Sequence, residues 1–157
     1  MSYYNANQYD KLVSEANNNN PESMYKLAML YSTGAINSSS DEDIFWLEKF
    51  LNSKEVKAII ADLDDDEGSI SYADTPFDHY KYYDMIIEAG IAVGLYYMNA
   101  SKIEEAKLSQ TAFYFAWLAS KCDYIEIKED ENTTDILSLM EQIDKRISML
   151  KERREKK

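Results

Sequence analysis

The chain is poor in the residues that turn, cross-link or catalyse: among its 157 residues are 4 glycines, 2 prolines, one cysteine and one histidine. So few turn formers exclude many-turned sheet architectures, while Ala, Leu, Glu, Lys and Met supply much of the remainder and favour helices. A single cysteine, Cys122, excludes an internal disulfide and fits a reducing compartment, where such a residue ordinarily serves as a small buried hydrophobe. With His79 as the sole histidine, a His-containing metal cluster is not easily assembled, and neither His79 nor Cys122 stands in the context of a known nucleophilic pair. There is no Gly-rich phosphate loop. No apolar run reaches the roughly 18 to 20 residues of a membrane span, and residues 1–9 lack the basic and apolar zones of a signal peptide. A cytoplasmic protein with no membrane partner is expected.

Positive charge is also in deficit. Lys and Arg number 17 against 29 Asp and Glu, for a net charge of −12. Residues 141–157 hold seven Lys or Arg against four Asp or Glu, which leaves −15 on the first 140 residues. Bare nucleic acid and anionic lipid would be repelled, so a basic protein is the expected partner. The basic tail end is read as a solvated helix terminus. A hydrophobic content of 45% allows one sizeable core, and the whole of 1–157 is read as a single helical domain.

Apolar spacing predicts about seven helices. The first covers 5–17 through Tyr9, Leu12, Val13 and Ala16. Asn20 and Pro21 then supply an N-cap and a first helical residue for the second, which carries Tyr25, Leu27, Ala28, Leu30 and Tyr31 and ends at Gly34. A third starts after Ser40 with Asp41, Glu42 and Asp43 at the positive end of its dipole, and buries Ile44, Leu47, Phe50 and Leu51 beside Trp46. A short fourth spans 53–63 through Val56, Ile59 and Ile60, followed by an acidic loop over 64–76. Residues 77–98 form a long helix with Gly90 and Gly94 as candidate break points. Ser101 and Glu104 form a capping box for an antiparallel helix carrying Ala106, Ala112, Phe115, Ala116 and Ala119. After an acidic linker at 128–132, Thr133 or Thr134 caps a final helix bearing Ile136, Leu139, Met140, Ile143, Ile147 and Leu150.

Two stretches 66 positions apart share one spacing: Ser23, Leu27, Ala28 and Tyr31, then Ala89, Val93, Gly94 and Tyr97. Steps of four, one and three place each set on one helix face, where a small residue beside an aliphatic one admits a second helix closely. This pattern resembles the Sel-one-like branch of the tetratricopeptide superfamily. Asn19 to Glu22 resemble the inter-repeat turn, Gly34 the glycine after the Tyr, and Trp46 the aromatic of the second helix, while Ala112, Phe115 and Ala119 fit the partner helix of the second unit. Asp43 and Phe50 depart from the family's Ala positions, the second unit lacks loop glycines, and 52–88 fits no full unit, so the resemblance covers about half the chain. It implies an all-α fold of antiparallel helix pairs in a right-handed tetratricopeptide-like stack. The repeat regions would be 1–51 and 77–121, with a short helix and acidic loop at 52–76 between them and a C-terminal helix at 133–157. It also implies a partner-binding scaffold with no catalytic residue.

The acidic run fails as a calcium loop. If Asp62 is the first ligand position, Asp64 and Asp66 fit, but Glu67 stands where Gly is needed and Ala73 where the bidentate Glu belongs. No metal, cofactor or catalytic site is therefore expected. A surface of Asp62, Asp64, Asp65, Asp66, Glu67, Tyr72 and Asp74, extended by Tyr80 and Tyr83, suits Arg side chains, which stack on Tyr rings while pairing with carboxylates. The leading expectation is an immunity or inhibitor protein against a basic, nuclease-type bacterial toxin, since a phosphate-holding active site must be positive. An adaptor of the Sel-one-like type, binding through Met24, Tyr25, Met29 and Trp46, stands beside it.

Overall fold

A computed structural model describes residues 6–33, 41–65, 77–120 and 129–155, with the side chains of 6, 7, 65, 77–80, 129–135 and 155 left out of the description. Among the described residues the chain is all-α: seven helices and no strand. They are α1 (Ala6–Asn17), α2 (Pro21–Ser32), α3 (Glu42–Leu51), α4 (Lys54–Asp65), α5 (Phe77–Tyr97), α6 (Ile103–Ser120) and α7 (Glu129–Glu155). Their contacts divide the chain into two compact units, Met1–Ala58 and Ile59–Lys157, with the division falling inside α4.

In the first unit α2 packs on both α1 and α3. The α1–α2 turn is three asparagines long, and Asn19 takes a left-handed conformation with φ of 69°, which Asn tolerates better than most residues. Asn20 caps α2 as expected, its Oδ1 accepting from the Ser23 amide at 3.2 Å, with Pro21 in the first turn where its missing N–H costs nothing. Polar contacts close the hairpin at both ends. Near the turn Ser23 Oγ donates to Glu15 Oε2 at 2.9 Å, and at the open end the Tyr9 and Tyr31 hydroxyls share a hydrogen bond of 2.8 Å. An early residue of α1 meets a late residue of α2, so the pair is antiparallel. The rings of Tyr25 and Phe50 lie 5.6 Å apart, joining the start of α2 to the end of α3. Leu27, Ala28, Leu47 and Phe50 are fully buried between these helices, each large one contributing about 1.5–3 kcal/mol. α3 starts after Asp41, which has φ of 73° and makes no side-chain cap; Ser40, after which the helix is expected to start, and the helix-ending Gly34 lie outside the described residues.

The second unit is built on the most extensive helix contact among the described residues, α5 with α6. Gly90 and Gly94 do not break α5. They stand one turn apart on the face that meets Ser109, Ala112, Phe113 and Ala116. A Cβ on Gly90 would lie 2.5 Å from the Ala112 carbonyl oxygen, and one on Gly94 would overlap the Phe113 ring. Ser109, fully buried, donates to the Gly94 carbonyl at 2.7 Å, so its hydroxyl is satisfied where water cannot reach. Later residues of α5 thus meet earlier residues of α6, again antiparallel. α7 returns along α6, burying Ile143, Ile147 and Leu150 against Ile103, Ala106 and Phe113. Arg146 reaches past the end of α5 to donate to the carbonyls of Asn99 and Ala100 at 3.0–3.2 Å.

Three boundaries differ from expectation. α4 continues to Asp65, two residues beyond its apolar pattern. α6 begins at Ile103 with the Lys102 carbonyl accepting from the Ala106 amide, one residue later than a box capped by Ser101 requires. α7 begins at Glu129 and takes in most of the presumed linker, because Glu129, Asp130 and Glu131 suit the positive end of a helix dipole and need no separate cap.

Candidate partner-binding surface

The last turn of α4 carries the described part of the acidic run. Leu63 is buried, continuing the stripe of Ile59 and Ile60, whereas Asp62 and Asp64 on either side of it are exposed. Carboxylates at a helix C-terminus face the negative end of the dipole, so helix stability does not account for them. Asp64 is compensated from α6: the Tyr114 hydroxyl donates to its Oδ1. That hydrogen bond to a carboxylate, reinforced by burial, pushes the Tyr114 phenol above its ordinary pKa. Tyr114 is stacked on Trp117, with ring centroids 5.8 Å apart and planes inclined by 28°. Both rings are half-buried, which leaves an aromatic edge beside the acidic turn.

On its other side Tyr114 lines a cavity of about 310 Å³ between α6 and α7, with Gln110, Thr111, Met140 and Asp144. Gln110 Nε2 donates to Asp144 Oδ1 at 2.7 Å and fixes that carboxylate at the rim. The resulting surface combines three exposed carboxylates, Asp62, Asp64 and Asp144, with two aromatic rings and a thioether. Chemically it suits a cationic side chain with an apolar stem.

The expected site residues are not all brought here. Asp62 and Asp64 are in place, and Asp65 closes α4 with its side chain outside the description. Asp66, Glu67, Tyr72 and Asp74 lie outside the described residues, as does Cys122, and the side chains of Tyr80 and His79 are likewise not described. Tyr83 is 1% exposed and so belongs to the core of the second unit, not to a binding surface; it sits on the α5 face that also buries Ile86 and Ile87. In the first unit Met24 and Trp46 are buried as well, so of the expected adaptor residues Tyr25 and Met29 alone are partly exposed. The open group there is Phe45, 52% exposed, set edge-on to Trp46, with Lys49 Nζ 5.0 and 5.3 Å from the two ring centroids.

Sequence reasoning missed Tyr114, Trp117 and Asp144. A signal existed for the first two: once Ser109, Ala112, Ala116 and Ala119 are taken as the inward face of α6, an aromatic pair three residues apart remains on another face. Among the described residues no group of His, Cys, Asp and Glu could hold a metal ion, and no helix is long and apolar enough to cross a membrane. No family model matches the chain, and neither a curated protein nor a solved structure resembles it.

Proposed function

We propose that the chain is a non-catalytic, acidic protein-binding module, specifically an immunity or inhibitor protein that binds a basic, nuclease-type bacterial toxin in the cytoplasm and blocks it. The observation carrying this reading is the end of α4, where Asp62 and Asp64 are exposed against the helix dipole and beside the Tyr114–Trp117 pair. Tyr114 offsets that cost at Asp64, whereas at Asp62 the charge is accounted for by an attraction to a partner. A basic active-site groove would meet it with Arg or Lys, and the −15 on the first 140 residues would speed the encounter. The helix pairs are taken as units of a right-handed Sel-one-like stack, in keeping with the burial of Ser23, Leu27 and Ala28 in one unit and Ala89, Val93 and Gly94 in the other.

A test uses the full chain as bait in lysate of its native cell, at low and high salt, beside the variant Asp62→Lys/Asp64→Lys. The expected result is one basic protein retained by the wild type at low salt and lost by the variant, with nuclease activity that the wild type suppresses at equimolar ratio. Neutral proteins retained equally by both would overturn it. The second reading, a Sel-one-like adaptor, has the exposed Phe45 in its favour, and predicts retention that survives high salt and is lost in Phe45→Ala.

A further inference from the structure

Charge is inverted at the opposite end of the α6–α7 pair. The start of α6 and the last turn of α7 border an open cleft of about 580 Å³ lined by Lys102, Arg153 and Arg154, with Glu104 the one carboxylate on its wall among the described residues. Its floor is apolar and firm, because Ile103 and Leu150 are 9% and 6% exposed and belong to the packed cluster between the two helices. The volume falls in the range of about 300–1,000 Å³ typical of small-molecule sites.

Helix electrostatics accounts for part of this charge and not the rest. Arg153 and Arg154 in the last turn of α7 complement the negative end of its dipole. Lys102 comes from the other element and stands at the positive end of α6, where a cation is unfavourable and the first amides have no acceptor within the helix. Among the described residues none of the three cations is held in an ion pair. Three exposed positive charges therefore share one cleft in a chain whose first 140 residues carry −15, and their mutual repulsion would be relieved by an anion.

The geometry points to a binding site for a small phosphate monoester carrying an apolar body. The phosphate sits among Lys102, Arg153 and Arg154, whose guanidinium forks match phosphate oxygens in pairs, and the body lies on Ile103 and Leu150. Three cations against Glu104 leave the cleft at +2, which the dianion of a phosphate monoester balances and a fully ionised di- or triphosphate exceeds. The site is independent of the acidic surface and of the proposed partner.

The test is titration of the full chain with phenyl phosphate, inorganic phosphate and phenol, followed by backbone amide NMR. Phenyl phosphate should give saturable shifts confined to residues 101–104 and 150–154, inorganic phosphate the same shifts at tenfold or higher concentration, and phenol none. Lys102→Gln/Arg153→Gln, which keeps the fold because both side chains are exposed, should weaken phenyl phosphate at least tenfold. Ile103→Val trims the floor and should weaken phenyl phosphate while leaving inorganic phosphate unchanged. Shifts scattered over all Lys and Arg residues, or undiminished in the double variant, would overturn the proposal. So would sedimentation with phosphatidic acid vesicles in the absence of any response to phenyl phosphate, which would transfer the site to a membrane surface, or saturation by an acidic peptide alone.

Discussion

The two helix hairpins that carry the shared spacing close in different ways. In α1–α2 the small residue is Ala28, and the pair is fastened at its two ends by Ser23 to Glu15 and Tyr9 to Tyr31. In α5–α6 the small residue is Gly94, and the fastening is in the middle, where Gly90 and Gly94 admit the Ala112 carbonyl and the Phe113 ring at distances no side chain would allow. Similar spacing thus permits two solutions: polar contacts at the ends of a pair whose small residue keeps its methyl group, or close backbone approach with one large ring filling the groove. The glycine solution gives up about 1 kcal/mol of helix propensity per residue and is offset by close packing and by the buried hydrogen bond from Ser109 to the Gly94 carbonyl. It should be the more sensitive to any change in volume.

Each unit contains one tryptophan, Trp46 in the first and Trp117 in the second, so Trp→Phe backgrounds report their unfolding separately by fluorescence. The largest effect is expected for Phe113→Ala, which empties the groove beside Gly94 and should cost about 3–5 kcal/mol in the second unit. Next, Gly90→Ala forces α5 away from a backbone carbonyl and should cost about 1–3 kcal/mol despite the better helix former. Gly94→Ala meets a ring instead of backbone. Its cost should largely vanish when combined with Phe113→Ala, giving a coupling of about 1–3 kcal/mol in a double-mutant cycle. Additive costs would mean that the ring does not set the spacing. In the first unit the reverse exchange, Ala28→Gly, should cost about 1–2 kcal/mol, from backbone entropy and the loss of one buried methyl.

Contacts near in sequence were legible, and contacts made across the fold were not. Asn20, Pro21 and Ser23 could be read because a cap is completed within four residues. Gly90 and Gly94 gave the opposite impression, since a glycine suited to close packing and one that breaks a helix look alike until the partner helix is known. The end of α4 and the start of α7 were misplaced for a related reason: acidic residues without apolar spacing suggest a loop, yet at one end they ride on a helix anchored by Leu63 and at the other they suit its dipole. Of the candidate surface, Asp62 and Asp64 were evident from the acidic run. Tyr114 was not, because its role rests on a carboxylate 50 residues away, and Tyr83 was misassigned because a run of tyrosines does not say which of them face the core.

End-fastening of the first hairpin can be tested at both ends. Ser23→Ala removes the partner of Glu15 and should cost about 1 kcal/mol, leaving the Asn20 cap in place.

The smallest effect concerns the other end and depends on pH. Burial raises the Tyr31 phenol above its ordinary pKa, with the Tyr9 hydrogen bond and the Glu42 carboxylate acting in the same direction. The neutral phenol is therefore favoured in the folded state. Its contribution is complete below about pH 10, where the unfolded chain also keeps the proton, and declines above it as the unfolded chain ionises first. Tyr31→Phe loses the hydrogen bond at neutral pH but should flatten the alkaline decline of the first unit, read from Trp46 in denaturant melts between pH 8 and 11. Tyr114 is raised chiefly by Asp64, so Tyr114→Phe should flatten the decline of the second unit and leave the first unchanged. An equal slope in wild type and Tyr31→Phe would show that the tyrosine pair does not hold the open end of the hairpin, and would leave Glu15 and Ser23 as its polar fastening.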